Sequence, residues 1–204
     1  MKRALLMILV TGSLFAQSYE IDLGLSHQAY QEPATSKFDP TFKIDSKTIP
    51  QVRIGVSIHD TAFFRLQLVG AIQPRSETTV HVSELGYPSA DATLRQGYWG
   101  IGAAITSKTP IEVGGGVEYR SETLDISPNG LYPTSGPTKA TYGRPWARLA
   151  LSHSFSTAAG TPFIGLEWAM PLKKQDYGSG SSNEDLLKAL AAKSQVGICG
   201  GIRF

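Results

Sequence analysis

Apolar and polar residues alternate with a period of two over most of the chain. In residues 111–120, for example, Ile, Val, Gly, Val and Tyr alternate with Glu, Gly, Gly, Glu and Arg. Such alternation is typical of a β-strand whose two faces meet different environments. Eight segments show it: 18–26, 52–59, 64–72, 98–105, 111–120, 146–155, 163–170 and 196–204. The pattern therefore predicts an all-β fold of eight strands.

The connections between these segments alternate in length. Four are long, at 31–50, 73–93, 121–144 and 173–193, and three are short, at 60–62, 106–110 and 156–162. In an antiparallel up-and-down barrel, successive connections lie at opposite ends. The four long loops therefore share one end and the three short turns the other, as in a transmembrane barrel with short periplasmic turns and long extracellular loops.

The composition of the two faces indicates which one points inward. A soluble barrel keeps its apolar face inside, whereas a membrane barrel keeps it outside. Here the polar face is rich in Gly, Ala and Ser, as a narrow interior requires, and its bases are all Arg, which suits desolvated ion pairs. The apolar face carries no ionisable residue except His153. We therefore expect a lumen charge network, formed by Glu20, Asp22, Arg53, Arg65, Glu112, Glu118, Arg120, Arg148, Glu167 and Arg203. The rival fold is a soluble ligand-binding barrel, which would be recovered in the periplasm.

The N-terminal segment predicts export. Met1, Lys2 and Arg3 form a positive start, an apolar stretch follows over residues 4–10, and Ala16 offers a small residue for cleavage. This is typical of a signal peptide over 1–16, which leaves 17–204 as the barrel. The formal net charge of +2 gives no basic field for nucleic acid, and one cysteine excludes a disulfide framework.

The last predicted strand carries a further signal. Ile198, Ile202 and Phe204 keep the apolar register up to the final residue. An amphipathic last strand that ends in an aromatic residue resembles the C-terminal insertion signal of bacterial outer-membrane barrels. With the signal peptide and the loop pattern, residues 17–204 resemble the small eight-stranded group that includes the OmpA transmembrane domain, OmpX and opacity-type proteins.

This resemblance implies an integral protein of the outer membrane of a Gram-negative-type bacterium. The partners it implies are outer-membrane lipid and lipopolysaccharide, the barrel-insertion machinery and periplasmic chaperones. Aromatic side chains are expected at the membrane–water interfaces, where their amphipathic rings are favoured. The candidates are Tyr19, Trp99, Tyr119, Phe155 and Trp168, together with Phe204.

The function expected is structural or interactive, with an extracellular ligand at the loops and no catalysis, cofactor or metal. A capping box at Ser181 and an apolar stripe predict a helix in the fourth long loop, ending at Lys193. The first alternative is a small-solute channel, whose conductance would change when Arg148 or Glu167 is neutralised.

A lipid A-modifying enzyme is the second alternative. Some eight-stranded barrels deacylate lipopolysaccharide with a His, a Ser two residues later and a Glu. Here Phe155 stands two residues after His153, and Ser154 and Glu167 point inward by parity. His153 is therefore interpreted as an interfacial side chain, and Cys199 as an inert buried thiol.

Overall fold

Nine strands make up the regular structure of the computed structural model, which describes residues 18–30, 41–83, 90–128, 139–173 and 190–204. They are β1 (Tyr19–Tyr30), β2 (Thr41–Ile44), β3 (Lys47–Asp60), β4 (Phe64–Ser83), β5 (Ala90–Ser107), β6 (Ile111–Pro128), β7 (Lys139–Ser154), β8 (Thr161–Pro171) and β9 (Ala192–Arg203). Among the described residues, no helix has the length and hydropathy needed to cross a membrane.

The strands form one closed antiparallel sheet. Their order is β2-β4-β3-β1-β9-β8-β7-β6-β5, and a further pairing of β4 with β5 closes the ring. Strands β2 and β3 pair with consecutive parts of β4, through Ile44 opposite Val80 and Val52 opposite Ile72. They therefore act as one interrupted strand. The predicted eight-stranded up-and-down barrel is confirmed, with β2 as an addition.

The outer surface of the lower barrel, near the short turns, is an apolar belt. Leu23, Ile101 and Leu166 are 62%, 64% and 58% exposed, and similar side chains face outward on every barrel strand. The inward side chains at the same heights are mainly polar and buried. A soluble barrel would show the reverse, so the belt identifies the surface that faces lipid.

The predicted boundaries of the long loops are wrong, because the strands continue well beyond the belt. Strand β4 runs on to Ser83, β5 starts at Ala90, β6 ends at Pro128 and β7 starts at Lys139. In β5 alone, residues 90–98 precede the belt residue Trp99. At about 3.3 Å per residue, this adds roughly 30 Å along the strand. We call this part of β2 and β4–β7 the upper extension.

The upper extension reverses the polarity of the barrel. Its inward side chains Val80, Ala92, Leu94 and Leu124 form an upper apolar cluster together with Leu190 and Ala191, which precede β9. Its outward side chains are polar, with Thr93 and Arg95 on β5 as examples. This is the polarity of a soluble barrel. A pattern with apolar residues on the outward register therefore does not predict these strand residues, although apolar and polar residues also alternate there.

A β-bulge marks the transition on β4. The pairing of β4 with β5 shifts register between Gln73 and Ser76, so two residues of β4, Pro74 and Arg75, lie opposite one residue of β5. Gly97 lies opposite on β5, where an added Cβ would lie 3.0 Å from the carbonyl oxygen of Gln73. Only glycine therefore fits beside the bulge without displacing backbone. The bulge re-aims the side chains that follow it.

The helix predicted in the fourth long loop lies largely outside the described residues, which omit 174–189. Its predicted end is wrong, because Ala192 and Lys193 belong to β9. Leu190 and Ala191 instead pack into the upper apolar cluster. The signal peptide predicted at 1–16 also lies outside the described residues and stays a prediction.

The belt predicts how substitutions on β5 depend on height. Ile101→Arg should lower the free energy of unfolding in bilayers by ~2–4 kcal/mol, because it places a charge against the lipid midplane. Thr93→Arg is the matched control on the outward face of the upper extension, and it should change stability by less than ~0.5 kcal/mol. Urea unfolding in vesicles measures both. Equal effects at the two positions would contradict the assignment of the belt.

Candidate functional site

The lowest layer of the lumen is centred on Arg203. Its Nε lies 2.6 Å from Glu20 Oε2, and its Nη1 lies 2.7 Å from Glu112 Oε2. The guanidinium also stacks on Phe163, 4.3 Å from the ring centroid. Ser152 donates a hydrogen bond to the same Glu112 carboxylate. Arg203 therefore ties β9 to β1 and to β6 across the barrel floor.

The middle layer contains two arginines and two carboxylates. Arg53 Nη1 lies 3.1 Å from Asp22 Oδ2 and 2.9 Å from Glu167 Oε2. Arg148 Nη2 lies 2.8 Å from the same Glu167 oxygen and 3.6 Å from Asp22 Oδ2. All four side chains project from different strands, β1, β3, β7 and β8. Buried charges of this kind need such mutual pairing, because water does not solvate them.

One group in this layer has the spacing of a metal site. A carboxylate oxygen of Asp22, one of Glu167 and the thiol of Cys199 lie within 4.8 Å of one another. However, Arg53 and Arg148 contact both carboxylates, so their positive charges already occupy the position that a cation would take. The donor set therefore fits an arginine pair better than a metal ion.

The third layer closes the lumen around Arg120, which is 1% exposed. Its guanidinium lies between two aromatic rings, 4.2 Å from the centroid of Tyr98 and 4.0 Å from that of Trp146. It forms an ion pair with Glu118, and its Nη1 donates to Gln195 Oε1 at 2.6 Å. This arrangement satisfies the charge by pairing, hydrogen bonding and cation–π contact at once.

A fourth layer lies within 121–144, where the sequence pattern predicts a loop. Arg144 donates two hydrogen bonds to Glu122, at 2.7 and 2.9 Å, and a third to the carbonyl of Ala192 at 2.6 Å. Trp146 donates its indole N–H to Glu122 at 2.6 Å. The sequence signal for this layer is that Glu122 and Leu124 continue the inward register of β6, in alternation with the outward Ser121 and Thr123.

The structure places all ten residues of the predicted lumen charge network inside the barrel. With the additional pair it contains six arginines and six carboxylates. They are Arg53, Arg65, Arg120, Arg144, Arg148 and Arg203, and Glu20, Asp22, Glu112, Glu118, Glu122 and Glu167. Among the described residues the lumen charges therefore balance, with no excess of either sign.

The predicted interfacial aromatics all face outward. The structure exposes Tyr19, Trp99, Tyr119, Phe155, Trp168 and Phe204. Tyr19, Phe155 and Phe204 lie at the end with the short turns, where Tyr19 and Phe204 exchange two backbone hydrogen bonds. Trp99 lies opposite Ile72, near the upper limit of the belt. In the predicted C-terminal signal, Ile198 faces outward like Phe204, and Ile202 is half-buried.

The residues considered for lipid A chemistry lie apart. His153 is outside the barrel, with its ring edge against Phe155 and Nδ1 2.6 Å from the carbonyl oxygen of Pro110. Glu167 is inside, in the middle layer, and Ser154 donates to Glu112. The wall of the barrel therefore separates the histidine from the carboxylate that an acyl-transfer site would need beside it.

Above the membrane belt, His81 joins three segments of the upper extension. Its Nδ1 lies 2.7 Å from Asp91 Oδ1 on β5, and its Nε2 lies 3.4 Å from Asp45 Oδ2, between β2 and β3. The hydrogen bond with Asp91 is the largest cause that raises the pKa of His81, and the negative charge of Asp45 adds to it. When it is protonated, the histidine therefore connects the segment after β2 to β4 and β5 through two carboxylates.

No protein-family model and no curated protein sequence matches the chain. Solved structures of similar form include the outer membrane protein OprG from Pseudomonas aeruginosa, with 12% identity, a TM-score of 0.49 and coverage of 93% of this chain and 96% of that one. The translocator domain of the autotransporter NalP from Neisseria meningitidis has 13% identity, a TM-score of 0.48 and coverage of 100% and 94%.

A third similar structure is Ail, the attachment invasion locus protein of Yersinia pestis, in complex with the heparin analogue sucrose octasulfate. It has 9% identity, a TM-score of 0.46 and coverage of 93% of this chain and 100% of that one. At these scores the likeness carries no argument about activity. The strand pairing and the apolar belt of this chain identify it as a transmembrane barrel.

The Arg120 layer predicts a large loss of stability on truncation. Arg120→Ala should lower the free energy of unfolding by ~3–5 kcal/mol, because it leaves the buried carboxylate of Glu118 without its partner. Arg95→Ala is the control, since it breaks an exposed pair with Glu77 and should cost no more than ~1 kcal/mol. Urea unfolding of the two variants in vesicles gives the comparison, and similar losses would refute the special role of the buried layer.

The contacts of His81 predict a pH dependence in the upper extension. A group whose pKa is raised by folding stabilises the folded state fully below its ordinary pKa, here 6.5, and this contribution is lost as the pH rises through the raised pKa. An NMR titration of the imidazole should give a midpoint above 6.5, and Asp91→Asn should lower it. The protection of the β2 amides against hydrogen exchange, relative to their intrinsic exchange rate at each pH, should fall above that midpoint. A midpoint unaffected by Asp91→Asn would contradict this account.

Proposed function

We propose that this outer-membrane β-barrel does not conduct solutes and acts as a rigid scaffold that presents an interaction surface outside the membrane. The observation that carries the proposal is the Arg120 layer. The side chain extends from β6, and Gln195 on β9 links it to Gln73 on β4 through a 3.2 Å hydrogen bond. Three parts of the wall are thereby connected across the lumen.

A second seal lies above this polar layer. Leu94, Leu124, Val80 and Leu190 are essentially inaccessible to solvent. An apolar plug repels hydrated ions, and a layer of fixed ion pairs leaves them no free charge to bind. The two seals differ in chemistry, so a solute would need to displace both the ion-paired Arg120 layer and the apolar side chains above it.

The upper extension supports the display part of the proposal. Strands β4 to β7 continue as paired strands beyond the belt, and the pairing reaches Val82 opposite Ala90 and Asp125 opposite Lys139. Their apolar core and their cross-strand hydrogen bonds make this part rigid. Segments carried by a rigid sheet are favoured places for binding, because little order is lost when a partner is engaged.

A narrow channel is the second candidate, and one observation favours it. A small cavity lies beside the middle layer, lined by the charged residues Arg53, Arg148 and Glu118 and by small residues of β5 and β6. The cavity has room for about one water molecule, and the Arg120 layer separates it from the upper end. Enzymatic deacylation of lipid A draws no support from the separated positions of His153 and Glu167.

Conductance in planar bilayers tests the proposal directly. The protein should show no unitary conductance, and neither should Arg148→Gln or Glu167→Gln, because the seals above the middle layer remain. The control is a variant in which both seals are removed, Arg120→Ser with Leu94→Ser and Leu124→Ser, and this variant should conduct. The slower mobility of boiled than of unboiled protein on SDS gels verifies that each variant is folded.

Steady unitary conductance of the unchanged protein, altered by Arg148→Gln, would contradict the proposed scaffold function and support the narrow channel. Conductance in the unchanged protein that equals that of the variant without seals would show that the Arg120 layer opens in the bilayer.

A further inference from the structure

Three cationic residues lie directly above the apolar belt, on two sides of the barrel. Arg75 follows the outward Ile72 of β4 by three residues, Lys173 follows the outward Leu172 beyond β8 by one, and Lys193 precedes the outward Val196 of β9 by three. All three side chains are exposed. We call them the basic collar. Strands β8 and β9 are neighbours in the sheet and β4 lies across the barrel from them, so the collar has members on two sides.

The basic collar has no ion-pair partner among the described residues, whereas three outward acids at this end, Glu77, Asp45 and Asp91, have partners of their own. Glu77 pairs with Arg95 at 2.7 Å, and Asp45 and Asp91 both contact His81. The acids are therefore engaged with other bases of the upper extension. Among the residues that the structure describes, nothing neutralises the charge of the collar.

The opposite end of the barrel is arranged differently. There the outward cation Lys108 forms an ion pair with Asp60, and Arg65 lies 3.7 Å from the same carboxylate. The charges at the short-turn end therefore neutralise one another within the protein. The two ends of the belt present different electrostatics to the two surfaces of the membrane.

We propose that the basic collar binds the phosphate groups of the lipid headgroups in the leaflet next to the upper extension. Its members lie just beyond the apolar belt, which is the height of the headgroups. Lys and Arg at this height are attracted to anionic lipid, and both form charge-assisted hydrogen bonds with phosphate. Trp168, on the strand that leads to Lys173, lies outward below the collar and supplies the adjoining interfacial ring. The inference rests on the membrane orientation of the barrel and is independent of whether the lumen conducts.

The test compares lipid A carrying both phosphates with lipid A from which the phosphates have been removed. The folded full-length barrel in neutral detergent is titrated with each, and bound lipid is counted by native mass spectrometry. The variant is Arg75→Gln with Lys173→Gln and Lys193→Gln. The matched control is Lys108→Gln, which removes a cation from the other end. Folding of each is verified by heat-dependent mobility on SDS gels.

The unchanged protein should bind phosphorylated lipid A, and the triple variant should bind it about fivefold to 25-fold more weakly, at roughly fivefold for each cation that contacts the same lipid. The Lys108→Gln control should bind within twofold of the unchanged protein. Removal of the phosphates from the lipid should weaken binding by the unchanged protein to the level of the triple variant. Raised salt should weaken only the binding that depends on phosphate.

Equal affinity of the unchanged protein and the triple variant for phosphorylated lipid A would overturn the proposal. So would equal affinity of the unchanged protein for the two lipids, which would mean that the acyl chains alone are recognised. Competition by free inorganic phosphate as strong as that by phosphorylated lipid A would show an unspecific anion site, which also contradicts a headgroup site. None of these outcomes bears on conductance, so this proposal and the scaffold fail separately.

Discussion

The narrowness of an eight-stranded lumen is the constraint on which the rest of this structure depends. A closed ring of eight strands leaves room for side chains and little else. Because the outer face must be apolar for lipid, the polar residues of every strand converge on that small space. Their charges have to be neutralised by one another. The stacked layers around Arg203, Arg53, Arg120 and Arg144 are the result, and through ion pairs or hydrogen bonds each connects strands that are distant in sequence.

Arginine is suited to this task in a way that lysine is not. One guanidinium reaches two carboxylates at once, as Arg53 does with Asp22 and Glu167, and its flat face also packs on aromatic rings, as Arg120 does between Tyr98 and Trp146. The described part of the lumen is therefore densely packed, balanced in charge and connected across the barrel by ion pairs and hydrogen bonds. The same arrangement that fills the barrel gives it the stiffness needed to carry the upper extension.

The sequence predicted the membrane half well because two strong constraints coincide there. Lipid outside and a polar lumen inside leave a plain alternation, and parity assigned the ten predicted lumen charges to one face of the strands. Water surrounds the upper extension, so its apolar residues lie on the inward register, opposite to the membrane pattern. The membrane pattern therefore did not predict these strand residues. Leu94 and Leu124 are apolar residues on the inward register of their strands, and only tertiary pairing shows that they form a core. The ion pair of Arg144 with Glu122 was not predicted, because both residues lie within the predicted loop at 121–144.

The reversed polarity of the upper extension has a consequence for the order in which the barrel is built. Its outer face carries charges such as Glu77, Arg95 and Lys139, and each would cost up to ~2–4 kcal/mol at the bilayer midplane. If the upper part paired fully before insertion, all these charges would have to cross the hydrocarbon together on the outside of a finished sheet. Folding is therefore favoured to proceed with the crossing, so that the extension completes its pairing only when it reaches the far side.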